Sequence, residues 1–196
     1  MEHYLSTAFA KHLLNKNIIK EEMFEVYVYG AELFLSSVFT DVIIIIIGVI
    51  IRRLIATFLY LLVFILLRRF TGGYHATTYI KCKMTMIAMY AFTIASAIYV
   101  EISIYWYVLL MVAGNVTIFF SAPIENPNKK LDESQKKKCK ILSHISFIIV
   151  AVSGVILMHY FEMLGKTIFF SLFSVIALMI IAILMKGEKQ NERQNL

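Results

Sequence analysis

Residues 34–67 read FLSSVFTDVIIIIIGVIIRRLIATFLYLLVFILL, an apolar stretch that Arg52 and Arg53 interrupt in its middle. One continuous span would place both arginines near the centre of a bilayer. Each charge there costs roughly 3 kcal/mol on insertion scales. We therefore predict a tight helical hairpin with Arg52 and Arg53 at its tip.

The composition of the whole chain indicates a membrane protein. Of its 196 residues, 60% are hydrophobic and only 16% are charged, and the mean hydropathy is +0.76. Soluble domains of this length are far more polar. Four further apolar windows approach the roughly 20 residues that a transmembrane helix needs: 84–100, 102–121, 141–161 and 167–185. With the hairpin they predict an all-α, polytopic integral membrane bundle of about six segments, forming one membrane-embedded domain over residues 1–196.

Lysine and arginine are concentrated near two predicted loops, 71–83 and 122–140, and in the polar tail 186–196. Cytoplasmic loops carry an excess of these residues, so we expect both loops and the tail to face the cytoplasm. The hairpin then leaves Arg52, Arg53 and Lys166 on the outer side. The net charge of +6 is explained by this loop bias, and we predict no nucleic-acid partner.

The N-terminal segment 1–30 has no continuous apolar core, and we expect no cleavable signal peptide. Leu5, Phe9 and Leu13 recur at four-residue spacing, which predicts an amphipathic helix. Such a helix lies in the cytoplasmic interface or packs on the other helices, and the sequence leaves both arrangements open.

A histidine and a cysteine lie close together in the stretch RRFTGGYHATTYIKC, residues 68–82. A cysteine nucleophile needs a histidine that generates the thiolate and handles the proton of the leaving group. In a straight helix, His75 and Cys82 would lie roughly 10 Å apart along the axis. Gly72 and Gly73 can break the helix, so that His75 folds back towards Cys82.

Spacing alone leaves other interpretations open. The two glycines can simply end a helix, with His75 as an interfacial polar residue. Cys139, which has His144 five residues on, is a weaker candidate nucleophile. His75, Cys82, Cys139 and His144 can in principle bind zinc, but their spacing matches no compact zinc motif, and we predict no metal and no cofactor. A non-catalytic transporter or scaffold is the other alternative, although few polar residues occur within the spans.

Two motifs together resemble a known family. RFTGGYHA at residues 69–76, followed by Cys82, and APIENPNKK at residues 122–130 look like the accessory gene regulator protein B (AgrB) family. The resemblance covers nearly the whole chain, including its length, its apolar segments and its basic loop.

The resemblance implies a membrane cysteine endopeptidase of Gram-positive bacteria that processes an AgrD-like quorum-sensing propeptide. It carries the catalytic histidine onto His75 and the nucleophile onto Cys82. It also implies an acyl-enzyme thioester that an internal thiol of the propeptide resolves into a cyclic thiolactone. A homodimer and contact with membrane lipid are further expectations.

Other residues are candidates for supporting roles. Arg68, Arg69, Lys129 and Lys130 are predicted to bind the acidic part of the propeptide, although such cations can equally set topology and touch lipid phosphates. Glu125, Asn126 or Asp132 are candidates for orienting His75. Asp41, an acidic residue in an apolar stretch, is a functional candidate by its position.

Overall fold

The computed structural model describes residues 2–72, 79–124 and 132–194, with side chains described up to residue 185. Over these ranges the chain is all-α, with seven α-helices, one 3₁₀ turn at Glu21–Met23 and an isolated backbone bridge between Gly72 and Ile124. The helices are α1 (Glu2–Asn15), α2 (Phe24–Ile50), α3 (Leu54–Thr71), α4 (Tyr79–Tyr99), α5 (Ile104–Ser121), α6 (Glu133–Tyr160) and α7 (Glu162–Gln194).

Six of the described helices, α2 to α7, are long and apolar enough to cross a membrane, and α1 precedes them. The predicted all-α bundle with six membrane segments and an N-terminal helix is therefore confirmed. The first span is longer than the predicted hairpin arm, since its helical segment runs from Glu21 to Ile50 rather than starting near residue 34. Residues 24–30 of the N-terminal segment thus belong to α2.

The hairpin turn falls at Arg52 and Arg53, between α2 and α3. The Arg53 amide donates to the Gly48 carbonyl at 2.9 Å, and the Arg52 amide donates to Val49 at 3.0 Å. This pattern is the Schellman motif, in which the residue after the helix adopts a left-handed conformation. Arg52 occupies that position with φ 56°.

Helix α7 forms the centre of the bundle, because it packs against α3, α4, α5 and α6. Ile168, Leu172 and Met179 on α7 are fully enclosed. Close helix packing relies on small residues in a membrane, where burial from water does not drive association. Gly154 on α6 fits this pattern, because Tyr107 and Ile168 lie directly against its backbone.

Consecutive spans run antiparallel, so the bundle has two ends. The cysteine end holds Cys82, the start of α6 and residues 122–124, which follow α5. The turn end holds the α2–α3, α4–α5 and α6–α7 connections. At the turn end the buried Lys166 ammonium bridges Glu162 at 2.6 Å and Glu101 at 3.0 Å, which fastens the α4–α5 connection to α7.

Helix α1 packs along the first part of α2 at the cysteine end. His3 Nδ1 contacts the Glu32 carboxylate across this pair of helices. Leu5 and Phe9, from the predicted apolar stripe, line an apolar groove of ≈ 790 Å³ between α1 and α2. Leu5 and Phe9 thus border this groove and remain exposed, whereas the fully buried ones among the described residues of α1 are Ser6 and Ala10.

Candidate functional site

Cys82 lies in the first turn of α4 and is half-buried. Its thiol is free, as is that of Cys139 on α6. The Thr85 hydroxyl donates to the carbonyl of Lys81 at 2.8 Å, so this first turn is regular helix with an additional side-chain bond. The thiol is thus held on a helix, and its partial exposure leaves it open to a reactant.

Arg68 and Arg69, adjacent in the chain, have different environments. The Arg68 guanidinium lies over the Phe64 ring at 5.5 Å, and its Nη1 atom is buried. Arg69 is exposed and lies over the Phe70 ring at 5.9 Å. The structure therefore turns Arg68, but not Arg69, into the bundle at the end that holds Cys82.

The chain just before His75 is fixed by the second family motif. Gly72 forms a parallel bridge with Ile124, whose amide donates to the Thr71 carbonyl at 2.9 Å. Thr71 is fully buried and donates its hydroxyl to the Leu67 carbonyl at 3.0 Å. Gly72 has φ 71° and ψ −149°, a combination that is essentially restricted to glycine. The loop after α3 and the loop after α5 are thus joined backbone to backbone at the cysteine end.

The sequence model of the accessory gene regulator B family matches residues 6–186. The chain belongs to this family. The match extends from α1 into α7 and includes both motifs, as the resemblance predicted. Comparisons with curated proteins and with solved structures give no match. The family is associated with the processing of autoinducer propeptides, and the six apolar helices agree with a multi-pass membrane protein.

Two tyrosines that sequence reasoning missed connect the candidate site to the interior. Tyr60 and Tyr90 are fully enclosed, and their rings meet edge to face at 5.3 Å. Thr57 and the Tyr90 hydroxyl form a hydrogen bond of 2.7 Å, and the Tyr60 hydroxyl donates to the Met86 carbonyl at 3.4 Å. The Tyr60 ring also stacks on Phe64, the ring that Arg68 covers. The sequence offered a signal for these residues, because each tyrosine lies among apolar residues of a membrane helix. A buried hydroxyl there requires a hydrogen-bond partner.

Asp41 contributes an acidic group to the same interior region. Its Oδ1 atom is buried and has no hydrogen-bond partner within the part of the chain that the structure describes. Thr40 beside it is buried and bonds only back to the Ser36 carbonyl, at 2.9 Å, among those described contacts. Asp41 therefore faces the bundle interior, where an ionisable side chain in a membrane protein generally has a function.

Several predicted site residues lie outside the described residues. These are His75, Lys129, Lys130, Glu125 and Asn126. Asp132, the third candidate for orienting His75, precedes α6, where its amide donates to Gln135 Oε1 at 3.2 Å. The described contacts of Asp132 are therefore those of a helix cap.

A zinc site would need at least three ligands close together. Within the described ranges, no three histidine, cysteine, aspartate or glutamate side chains form such a group. Three of the four residues of the zinc hypothesis, Cys82, Cys139 and His144, are described, and they do not converge. This arrangement gives the zinc hypothesis no support.

Proposed function

We propose that this chain is the cysteine endopeptidase that cleaves an AgrD-like propeptide, with Cys82 as nucleophile and His75 as its general acid and base. The observation that carries the proposal is the half-buried free thiol in the first turn of α4, in a chain of the AgrB family whose Arg68 guanidinium turns into the bundle at the same end. A thiolate at a helix N-terminus beside a cation is the usual arrangement of a reactive cysteine.

The reaction follows from thiol chemistry. The Cys82 thiolate attacks the scissile carbonyl of the propeptide, and His75 protonates the departing amine. The acyl group then remains on Cys82 as a thioester. An internal thiol of the propeptide attacks this thioester, releases a cyclic thiolactone and regenerates Cys82, whereas attack by water would give a linear acid. Exclusion of water from this site once the propeptide is bound would favour cyclisation.

Arg68 and Arg69 have separate roles in this proposal. Negative charge develops on the thiolate and on the oxygen of the tetrahedral intermediate, and Arg68 is a cation turned into the bundle at the end that holds Cys82. Arg69, exposed at the bundle surface, is available with Lys129 and Lys130 to bind the acidic part of the propeptide. Replacing Arg68 should therefore lower the rate of cleavage itself, and replacing Arg69 should weaken binding of the propeptide.

The proposal places the site on the cytoplasmic side of the cell membrane of a Gram-positive bacterium. The basic loops support this orientation through the positive-inside rule. A homodimer in contact with membrane lipid remains part of the proposal.

The decisive experiment co-produces the chain with its candidate propeptide and analyses the products by mass spectrometry. Wild type is compared with Cys82→Ala, His75→Ala and Cys139→Ala. Cys139 is the matched control, because it is also a free, half-buried thiol near the cysteine end. We expect cleavage to be lost with Cys82→Ala and His75→Ala and kept with Cys139→Ala. A product mass one water below that of the linear fragment would indicate cyclisation.

Cleavage that survives both the Cys82 and the His75 replacement would contradict the proposed pair and favour a transporter or scaffold.

A second experiment tests the separate roles of the two arginines. Arg68→Gln and Arg69→Gln form a matched pair, because each removes one positive charge at adjacent positions. Saturating propeptide should restore the rate of Arg69→Gln but not that of Arg68→Gln. Equal rescue of both variants would contradict the separate roles.

A further inference from the structure

The turn end contains a cleft that the proposed reaction does not use. It has a volume of ≈ 650 Å³ and lies between the α2–α3 turn and the α6–α7 turn. Most of its lining is apolar, with Val49 and Ile55 from the hairpin and Leu164 from α7. Arg52 and Arg53 also line it. The cleft therefore combines an apolar wall with two cations.

Neither arginine is neutralised by a carboxylate. Arg52 and Arg53 form no ion pair with any residue in the described part of the chain, and Arg53 Nη1 instead contacts the Met163 sulfur at 3.0 Å. The acidic residue that lines the cleft, Glu162, is bound to Lys166 at 2.6 Å. Lys166 also bridges Glu101 at 3.0 Å, so one ammonium is shared by two carboxylates, and the charged groups around the cleft together keep one net positive charge. The two arginines, which have no carboxylate partner among the described residues, are available to an anion that enters the cleft.

The position of the cleft at the ends of the membrane helices indicates which class of anion can bind there. It lies where membrane helices end, at the level at which lipid phosphates meet the hydrocarbon. Val49 and Ile55 are more than half exposed, so an apolar surface continues from the arginines along the helices. Guanidinium groups bind phosphate oxygens by paired hydrogen bonds. An amphipathic ligand with a phosphate head and apolar chains matches both parts of the cleft.

We propose that this cleft binds the headgroup phosphate of an anionic phospholipid in the leaflet at the turn end, with the acyl chains along the exposed sides of α2 and α3. Arg52 and Arg53 hold the phosphate, and Met163 keeps the Arg53 side chain in place. This proposal also explains why two arginines occur at the end of the bundle opposite the basic loops. It does not depend on the proposed peptidase activity.

The backbone at Arg52 permits a variant that removes the charge and keeps the turn. Arg52 has a left-handed conformation at a helix C-terminus, a position that glycine adopts readily. Arg52→Gly should therefore preserve the fold, and combining it with Arg53→Gln removes both cations. Asn17, with φ 54°, follows α1 in the same backbone pattern. Asn17→Gly with Lys16→Gln is the matched control for the backbone change and for loss of an exposed cation.

The test titrates the purified full chain in micelles with phosphatidylglycerol or phosphatidylcholine and counts bound lipids by native mass spectrometry. We expect wild type and the Asn17–Lys16 control each to bind one phosphatidylglycerol molecule. The affinity of the Arg52–Arg53 variant for this lipid should be at least tenfold lower. Phosphatidylcholine should bind wild type and variant alike.

Three outcomes would overturn the proposal. The first is equal binding of phosphatidylglycerol by wild type and the Arg52–Arg53 variant. The second is binding of phosphatidylcholine at the cleft with the affinity of phosphatidylglycerol, which would indicate an apolar cleft without headgroup selection. The third is complete displacement of the lipid by millimolar inorganic phosphate, which would indicate a site for the free ion.

Discussion

A residue with positive φ lies just beyond each end of α3. The two residues differ in amino-acid type and in the backbone conformation that they adopt. Arg52 comes before α3 with φ 56°, and Gly72 follows it with φ 71° and ψ −149°. The first conformation is part of a helix C-terminus that many residues tolerate at a modest cost. The second is accessible almost only to glycine.

The contacts around the two residues also differ, because the backbone of Arg52 bonds within its own turn and Gly72 contacts a distant segment. The α2–α3 turn is closed by its own backbone, with Arg52 and Arg53 bonded to the last turn of α2, and the arginine side chains are exposed. Gly72 instead lies in a bridge to a distant residue, Ile124, whose amide donates to the Thr71 carbonyl. The comparison indicates that the α2–α3 turn is local and tolerant, whereas the junction after α3 depends on two loops meeting.

The largest effect should come from Gly72→Ala. A methyl group on Gly72 would overlap the Ile124 carbonyl oxygen and lie 3.0 Å from the Ile124 amide nitrogen, and the backbone angles would be strained by about 1–3 kcal/mol. We expect the junction to open and propeptide cleavage to fall at least tenfold, while helical content measured by circular dichroism stays unchanged.

Gly30→Ala is the matched control for that experiment. Gly30 lies within α2, and apart from the adjoining chain of its own helix no atom of the described residues stands within 4 Å of the position that its added Cβ would take. Alanine favours a helix over glycine by about 1 kcal/mol, so stability should rise slightly and cleavage should be kept. Full activity of Gly72→Ala would show that the junction between the loops is not needed.

The next largest effect is a loss of stability from Gly48→Ala, at the end of α3 that follows the α2–α3 turn. A Cβ on Gly48 would lie 2.8 Å from Thr57 Cβ and 2.9 Å from its Cγ2 atom, so Gly48→Ala should separate α2 from α3 at a cost of about 1–3 kcal/mol. The free energies of unfolding of wild type and Gly48→Ala, compared in mixed micelles, measure this loss.

Thr57→Ala compensates in part for Gly48→Ala, because it removes the methyl and hydroxyl groups that the new Cβ would meet, while the Cβ of residue 57, at 2.8 Å, remains. The double variant should be more stable than the sum of the two single losses predicts. Strict additivity would mean that the two positions are not in contact.

Much of the fold was predictable from the sequence because its signals are strong and local. A charged pair inside a 34-residue apolar stretch leaves few alternatives to a hairpin, and the turn does fall at Arg52 and Arg53. The start of α2 was less predictable. We predicted an amphipathic N-terminal segment over residues 1–30, whereas α2 already begins at Phe24, and its Glu32 is held by His3 of α1.

The candidate site was predictable only in part. The motif around Cys82 is local, but the pairing of Gly72 with Ile124 joins segments more than fifty residues apart, and no periodicity encodes such a contact. The different directions of Arg68 and Arg69 follow from helix geometry, since adjacent residues point about 100° apart. The sequence did not say which of the two faces inward, because that depends on the packing of α3 against α7.

A smaller effect is expected between α3 and α4, away from both ends. Tyr90→Phe removes the hydrogen bond of 2.7 Å to Thr57 and keeps the ring contact with Tyr60. Hydrogen bonds between membrane helices contribute on average about 0.6 kcal/mol, so we expect a loss of that size in the free energy of unfolding. Tyr105→Phe, at an 82% exposed position, is the control and should change nothing. A loss above about 2 kcal/mol would indicate that the hydroxyl belongs to a larger polar network.

The smallest effect, with the opposite sign, should come from Arg52→Gly in the absence of anionic lipid. Relief of the left-handed conformation gains about 1–2 kcal/mol, and the greater freedom of glycine in the unfolded chain offsets about 0.5–1 kcal/mol of it. The net change in the free energy of unfolding should be a gain of about 0.5 kcal/mol, measured in a neutral detergent. Asn17→Gly should gain less, because asparagine tolerates the left-handed region better than arginine. A clear loss of stability in Arg52→Gly would mean that the arginine side chain itself holds the hairpin, and the two ends of α3 would then be equally dependent on their surroundings.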